Sequence, residues 1–349
     1  MSTLTKGLQR STRDWDLVAR LGLSLAIIIG FALVIPRFLS TNNVFSVLQV
    51  VAPIGIAALG VGVTMLAGEF DLSIGSMAAV GGVASILLAG NGPVISILVP
   101  MLIGALLGAG QGALISKLKI SSLVVTIGTL ILLRGLAYVL SGEKSVFLTD
   151  FGIGKALGQR IWIFSPLSLV FIVLAIVVWV VLRYTKFGHE VYAMGGGRRE
   201  AQAAGLSPFR PLVTVFAFSG SMGALAGALV SLSIGGAAPT GFSEILLSSV
   251  AAAVIGGIAL SGGKGSPWGL VLGAVALGVI SNGVSVLGAP VYVLQFLTGG
   301  LLLAALAAEM LTSRSPRVRK VRAAAMSSLA TMNGKSRQGP PKLNERSTK

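Results

Sequence analysis

Two carboxylates one residue apart, Glu69 and Asp71, stand in the stretch Gly68-Glu69-Phe70-Asp71-Leu72-Ser73-Ile74-Gly75-Ser76, with a long apolar segment on either side. An ionisable side chain at membrane depth costs roughly 3 kcal/mol or more, so it requires a partner or a task. Here the acids can form an ordinary loop end reaching into the headgroups, hydrogen-bond the hydroxyls of a polar solute, carry a proton, or pair with Arg134. Arg134 can equally extend toward the nearer surface. Gly68 and Gly75 permit a sharp break, and Asp71 or Ser73 can cap the helix that follows. The stretch is expected to form a helix–break–helix lining a polar cavity, with Glu69, Phe70, Asp71 and Ser73 on a translocation path.

Three further polar residues interrupt apolar segments: Gln111, Glu244 and Asn282. Gln111 and Asn282 either bond to a neighbouring helix or line the same path, and Glu244, at the start of its segment, is expected on that path. Metal and nucleophile chemistry is poorly supplied. Cysteine is absent and His189 is the single histidine, so disulfides, thiolate metal sites and a Ser-His-Asp type triad are not expected. Gly262-Gly263-Lys264-Gly265-Ser266 superficially resembles a phosphate loop. A Walker A sequence needs Ser or Thr directly after Gly-Lys, at the start of a helix that follows a strand. Here Gly265 intervenes, between apolar segments. No cofactor is expected to bind directly, and any use of ATP must come through a partner.

The elements that position these groups follow from composition. Of 349 residues 54% are hydrophobic and 11% charged, and mean hydropathy is +0.90. A soluble domain cannot bury so much apolar surface, so a polytopic membrane protein is expected. The fold class expected is all-α: a transmembrane bundle of about ten spans, near 17–36, 44–68, 72–90, 94–116, 122–140, 165–182, 211–234, 244–260, 268–287 and 291–311. Asn91-Gly92-Pro93 and Gly288-Ala289-Pro290 mark turns. Gly104, Gly108 and Gly112 make a small-residue stripe, repeated at Gly223/Gly227 and Gly269/Gly273, where helix backbones can approach closely. Residues 1–16 form a polar N-terminal segment, 17–311 the membrane domain, and 312–349 a basic tail low in apolar content, expected to be disordered.

Charge placement orients the bundle. The N-terminal residues, the 117–119 loop, the 183–210 loop, Lys264 and the tail hold 22 of the 27 basic residues. An even span count puts all of these on one side, and the positive-inside bias makes that side cytoplasmic for both termini. The net charge of +16 is thus explained by orientation, without nucleic acid. Spans five apart share features: Gly104-Ala105 with Gln111-Gly112 resembles Gly273-Ala274 with Asn282-Gly283, while Asp71 and Glu244 open corresponding spans. An odd offset inverts the second unit, and inverted repeats with broken helices are a transporter signature. Within the 183–210 loop, Arg198-Arg199-Glu200-Ala201-Gln202-Ala203-Ala204 forms a short helix closed by Gly205. It serves either as a docking knob for a soluble partner or as a solvated connector.

Over residues 36–311 the chain resembles the membrane permeases of ribose-type ABC importers, the branch serving monosaccharides and the autoinducer-2 sugar. Three stretches carry the resemblance: 68–76; Thr185-Lys186-Phe187-Gly188-His189-Glu190-Val191-Tyr192-Ala193-Met194-Gly195-Gly196 through Ala201 and Gly205; and Gly256-Gly257 through Leu260-Ser261-Gly262-Gly263-Lys264-Gly265-Ser266. Many relatives carry Gly-Gly-Ile-Asp at the first motif, where this chain has Gly-Glu-Phe-Asp. The resemblance implies a cytoplasmic ABC ATPase subunit and a periplasmic or lipid-anchored sugar-binding protein as partners. It also implies a second permease copy, in a homodimer or with a paralogue, and a bacterial inner-membrane location. Arg198, Arg199, Glu200, Ala201, Ala204 and Gly205 then form the helix coupled to the ATPase. The function expected is import of a monosaccharide or related polyol by a subunit that is not itself an enzyme. The alternative is a proton-coupled secondary transporter, with Glu69, Asp71 or Glu244 carrying the proton.

Overall fold

A computed structural model describes residues 2–313 of the chain, with side-chain surroundings from residue 18 to 305 and at 307. The expected tail lies outside the described residues beyond Ser313. The chain up to Leu302 forms one compact unit. It is almost wholly helical. Helix α1 spans Ser2–Val34, continuing without interruption from the polar N-terminal segment because no proline occurs before Pro36. Helix α2 (Thr41–Leu66) is capped by Ser40, whose hydroxyl accepts the Asn43 N–H at 3.4 Å. Helix α3 (Ile74–Leu87) is followed by α4 (Pro93–Leu118), which opens on proline, and α5 (Ser122–Ser141).

Strand β1 (Val146–Phe147) and the short helix α6 (Gly152–Leu157) occupy the polar segment after α5. Helix α7 (Pro166–Tyr184) begins on a reciprocal Ser165/Ser168 cap. Helices α8 (Lys186–Gly196) and α9 (Arg198–Ala203) fill the basic loop. Then come α10 (Phe209–Ile234), β2 (Gly236–Ala237), α11 (Ser243–Ile255), α12 (Pro267–Val286) and α13 (Val291–Ser313). Each of the ten apolar segments expected from the sequence contains a helix, although the eighth, expected over 244–260, ends at Ile255. The two strands depart from an all-helical chain: β1 and β2 pair antiparallel, Val146 opposite Ala237, as a ribbon too short to leave a periodic signal.

Six helices, α2, α4, α5, α7, α10 and α12, are long and apolar enough to cross a membrane. Helices α3 and α11 are not. At 14 and 13 residues they reach only about 20 Å, against about 30 Å of hydrocarbon. Their ends must therefore be satisfied by protein or water; before α3 the polar residues Asp71 and Ser73 are buried, while Ser243 and Glu244 at the start of α11 are exposed.

Helix α10 is the most enclosed of the six long helices. The small-residue stripes set its neighbours. A Cβ on Gly104, Gly108 or Gly112 would overlap the carbonyl oxygen of Gly220, Phe216 or Leu212, so α4 runs antiparallel against α10 at backbone contact. On another face of α10, Gly223 meets Ile74, Gly227 meets the Ala78 carbonyl, and Ser231 meets Gly82. Both numbers rise by four together, so α3 runs parallel to α10. The Gly269/Gly273 stripe brings α12 against Gly256 and Ala252, at the end of α11 and within it. Helix α2 packs on α11 and α12 as α10 packs on α3 and α4.

Candidate functional site

The break between α2 and α3 is built from local rules. The Gly68 N–H closes on the Met65 carbonyl and the Glu69 N–H on that of Thr64, with Gly68 at φ +80°, so α2 ends in a left-handed turn. Asp71 then folds over its own backbone: Oδ1 accepts the Ser73 N–H at 2.9 Å and the Ser73 hydroxyl at 2.6 Å. Its other oxygen accepts the Ser219 hydroxyl of α10 at 2.6 Å. The Ser73 Oγ in turn accepts the Gln111 side-chain N–H of α4 at 2.9 Å, and the same amide reaches Thr129 of α5 at 3.1 Å. Phe70 is held by its main chain. Its N–H donates to the Ser122 hydroxyl at 3.1 Å, and its carbonyl accepts from Thr126 at 3.3 Å.

Asp71, Ser73, Ser219, Gln111 and Thr126 are all buried. A carboxylate here without donors would cost several kcal/mol, and three hydrogen bonds offset that cost. In this conformation the network joins the start of α3 to α4, α5 and α10 and is closed to solvent.

Glu69 points the other way. Its Oε1 lies 2.7 Å from Nη1 of Arg198, the first residue of α9. Around this pair three distant loops meet. A Cβ on Gly68 would press on Gly195, and one on Gly262 would press on Gly68. The Gly263 N–H donates to the Leu66 carbonyl at 3.0 Å, and the Tyr192 hydroxyl donates to the Gly265 carbonyl at 3.1 Å. The stretches near 68–76, 185–205 and 256–266 thus form one knot. Backbone covers Gly262 and Gly263 within it, so this glycine loop does not cradle a phosphate.

Helix α9 has two sides. Ala201 is buried, while Arg199, Glu200, Ala204 and Gly205 are exposed. Ala201, expected on the docking face, is packed inward instead, out of a partner's reach. Gly205, at φ +89°, closes the helix, its N–H on the Gln202 carbonyl and the Leu206 N–H on that of Ala201.

The remaining polar candidates are elsewhere. Glu244, in the first turn of α11, lines a cleft of about 640 Å³ with Gln49, Ser145, Phe147, Ser233 and Phe242 among its walls. The Gln295 side chain donates to Glu244 at 3.0 Å, and the Ser165 hydroxyl to Gln49 at 2.8 Å. Arg134 bonds Ser243 at 3.1 Å and does not pair with Glu69 or Asp71. Asn282 is buried on α12 with its Oδ1 unpartnered, and it is not among the residues lining the cleft. Sequence reading missed Ser122, Thr126, Thr129, Tyr192 and Ser219. Hydroxyls scattered in apolar helices give no pattern that separates those meeting a carboxylate from those bonding their own helix.

Comparison with known proteins adds family. Residues 43–306 match the family described as branched-chain amino acid transport system / permease component. The ribose import permease protein of Bacillus subtilis (strain 168) is 33% identical over 273 residues, 77% of this chain and 84% of that protein. The ribose import permease protein of Escherichia coli (strain K12) is 29% identical over 84% of this chain and 94% of its own length. The L-arabinose ABC transporter permease protein of Azospirillum brasilense is 31% identical over 88% of this chain and 92% of its own. No solved structure matches the chain at a significant level.

Proposed function

The chain belongs to the branched-chain amino acid transport system / permease component family, and from that premise we propose that it is the membrane permease of an ATP-driven importer carrying a monosaccharide or related polyol. It is a multi-pass membrane protein. The observation that carries the mechanism is the knot of Gly68, Gly195 and Gly262 beside Glu69–Arg198. One end of it is a short helix with an exposed face, and the other is the start of a half-length helix.

In this reading the ten helices all span the membrane as two inverted units, with both termini and α9 in the cytoplasm. The pairing of α2 with α11 and α12, matching α10 with α3 and α4, supports the inversion. A cytoplasmic ABC ATPase docks on Arg199, Glu200, Ala204 and Gly205. A second permease copy and an extracytoplasmic sugar-binding protein complete the importer. ATP binding moves the ATPase subunits, α9 follows, and the break at Glu69–Ser73 shifts against α10. Solute delivered by the binding protein meets the cleft holding Glu244 and passes through as Asp71, Ser73, Gln111 and Asn282 rearrange. Bound ATP stays in the partner.

The walls of the cleft are mostly apolar; Gln49, Ser145, Ser233 and Glu244 are the groups on them that pair with hydroxyls, and the lining residues include no Lys or Arg to neutralise a solute carboxylate, which supports a neutral polyol. The test is uptake of labelled pentoses, hexoses, polyols and branched-chain amino acids in a strain lacking this chain and in the complemented strain. Restored uptake of a sugar or polyol is expected. Restored uptake of only an amino acid would overturn the substrate class. Accumulation by the purified chain alone, on a proton gradient in vesicles, would overturn ATP drive.

A further inference from the structure

Helix α9 is too short to reach into the bundle by itself, and its outer face is the side available to a partner. What connects it inward is one charged contact and a backbone stack. Arg198 opens α9 and reaches Glu69 at 2.7 Å. Such a charge-assisted bond resists displacement more than neutral contacts of the same length. Glu69 is one residue from Phe70, whose main chain is held on both sides by α5, and two from Asp71, which is bonded to α10. A displacement of Arg198 therefore acts on the short break that leads into α3, against the bonds that hold Phe70 to α5 and Asp71 to α10. Gly68 against Gly195 transmits compression, because backbone cannot interpenetrate. It cannot transmit a pull. The ion pair can.

We propose that Glu69–Arg198 is a tension strut, a positioning pair through which α9 draws the start of α3 during the transport cycle. The inference rests on the ATP-driven importer reading. It assigns to Glu69 a role in coupling in place of contact with solute. The two partners are unequal. The Glu69 side chain is 10% exposed and that of Arg198 37%. Removing Arg198 leaves a buried carboxylate with Ser122 as its remaining side-chain partner, whereas neutralising Glu69 leaves a guanidinium that water can reach. Arg198→Gln should therefore be the more damaging single change, and adding Glu69→Gln to it should relieve the damage to assembly without restoring coupling.

The absence of cysteine makes the test direct. Spin labels on cysteines introduced at Gln202 and Lys117 report α9, and labels at Leu87 and Val286 report α3; all four positions are exposed. The distances are measured by pulsed electron resonance in the full complex with its ABC ATPase, without nucleotide and trapped with ATP and vanadate. In the otherwise wild-type complex both pairs are expected to shift. In Glu69→Gln/Arg198→Gln the α9 shift should persist while the α3 shift is largely lost. The exchange Glu69→Arg/Arg198→Glu should restore it. Arg198→Lys, which keeps the charge, serves if the double variant does not assemble, and should retain a reduced shift. An α3 shift of full size without the pair would overturn the strut and leave the importer reading standing. No shift of either pair in the wild-type complex would overturn both.

Discussion

The Ser219 hydroxyl donates to Asp71 at 2.6 Å, joining the first turn of α3 to the centre of α10 across 148 residues of chain. Asp71 also takes both donors that Ser73 offers. The carboxylate is a buried clamp on a half-length helix. Asp71→Asn retains one acceptor oxygen and the shape of the side chain, and the two serine hydroxyls can rotate to accept from its amide. Asp71→Ala leaves three donors facing nothing. We expect Asp71→Asn to assemble normally and lose most uptake, and Asp71→Ala to destabilise the chain by about 2–4 kcal/mol. Thermal unfolding in detergent alongside uptake checks both. Normal uptake by Asp71→Asn would reduce the residue to a structural role.

The α4–α10 contact gives a prediction with an internal control. Gly108 lies against the Phe216 carbonyl, while Gly110, on the same helix, has open space where its side chain would be. Gly108→Ala must push two backbones apart and should cost about 1–3 kcal/mol. Gly110→Ala should be neutral or stabilising by up to about 1 kcal/mol through helix propensity. The comparison is read from the midpoint of thermal aggregation in detergent. Equal effects would show that α4 does not sit on α10 in this register.

If the ATPase docks on α9 as proposed, two alanines three residues apart, one in α9 and one capping it, should separate docking from folding. Ala204 is exposed and Ala201 is buried. Ala204→Asp should leave the yield of the chain unchanged and abolish co-purification of the ABC ATPase. Ala201→Asp buries a charge without a partner and should reduce the yield of the chain itself. If Ala204→Asp leaves the ATPase bound at wild-type levels, docking lies elsewhere.

Much of this architecture was legible because breakers punctuate the apolar runs. Pro36, Pro93, Gly235 and Pro267 each sit within a residue or two of a helix end. Helix α8 was not legible. Gly188, Gly195 and Gly196 depress its propensity, and it forms because Thr185 caps it and Val191 and Met194 are buried. The early end of α11 at Ile255 depends on Gly257 adopting φ +76°, a conformation that apolar periodicity cannot announce. At the site, residue types were visible and partnerships were not. Glu69 and Arg198 are 129 positions apart and each had a nearer explanation, Glu69 with Arg134 and Arg198 with orientation in the bilayer. Which partner an acid takes is decided by the crossing of three glycine loops, and that crossing is a property of the whole fold.

Glu244 sits in a setting unlike those of Glu69 and Asp71, which are buried. It lines the cleft and is bonded to Gln295, in a place water reaches. Neutralising an exposed acid costs the fold at most about 1 kcal/mol, so Glu244→Gln should assemble and dock as wild type. A hydroxyl bonded to a carboxylate gains about 1 kcal/mol or more over one bonded to an amide, and that preference is lost in the variant. In an importer fed by a binding protein, the concentration giving half-maximal uptake is set by that protein, upstream of the cleft. The loss should therefore appear in the maximal rate, lowered about five- to tenfold for about 1–1.4 kcal/mol, with the half-saturating concentration unchanged. Concentration-dependent uptake of the sugar found in the deletion strain measures both. A raised half-saturating concentration at an unaltered maximal rate would mean that the permease itself selects the solute, and the division of labour argued for here would have to be reversed.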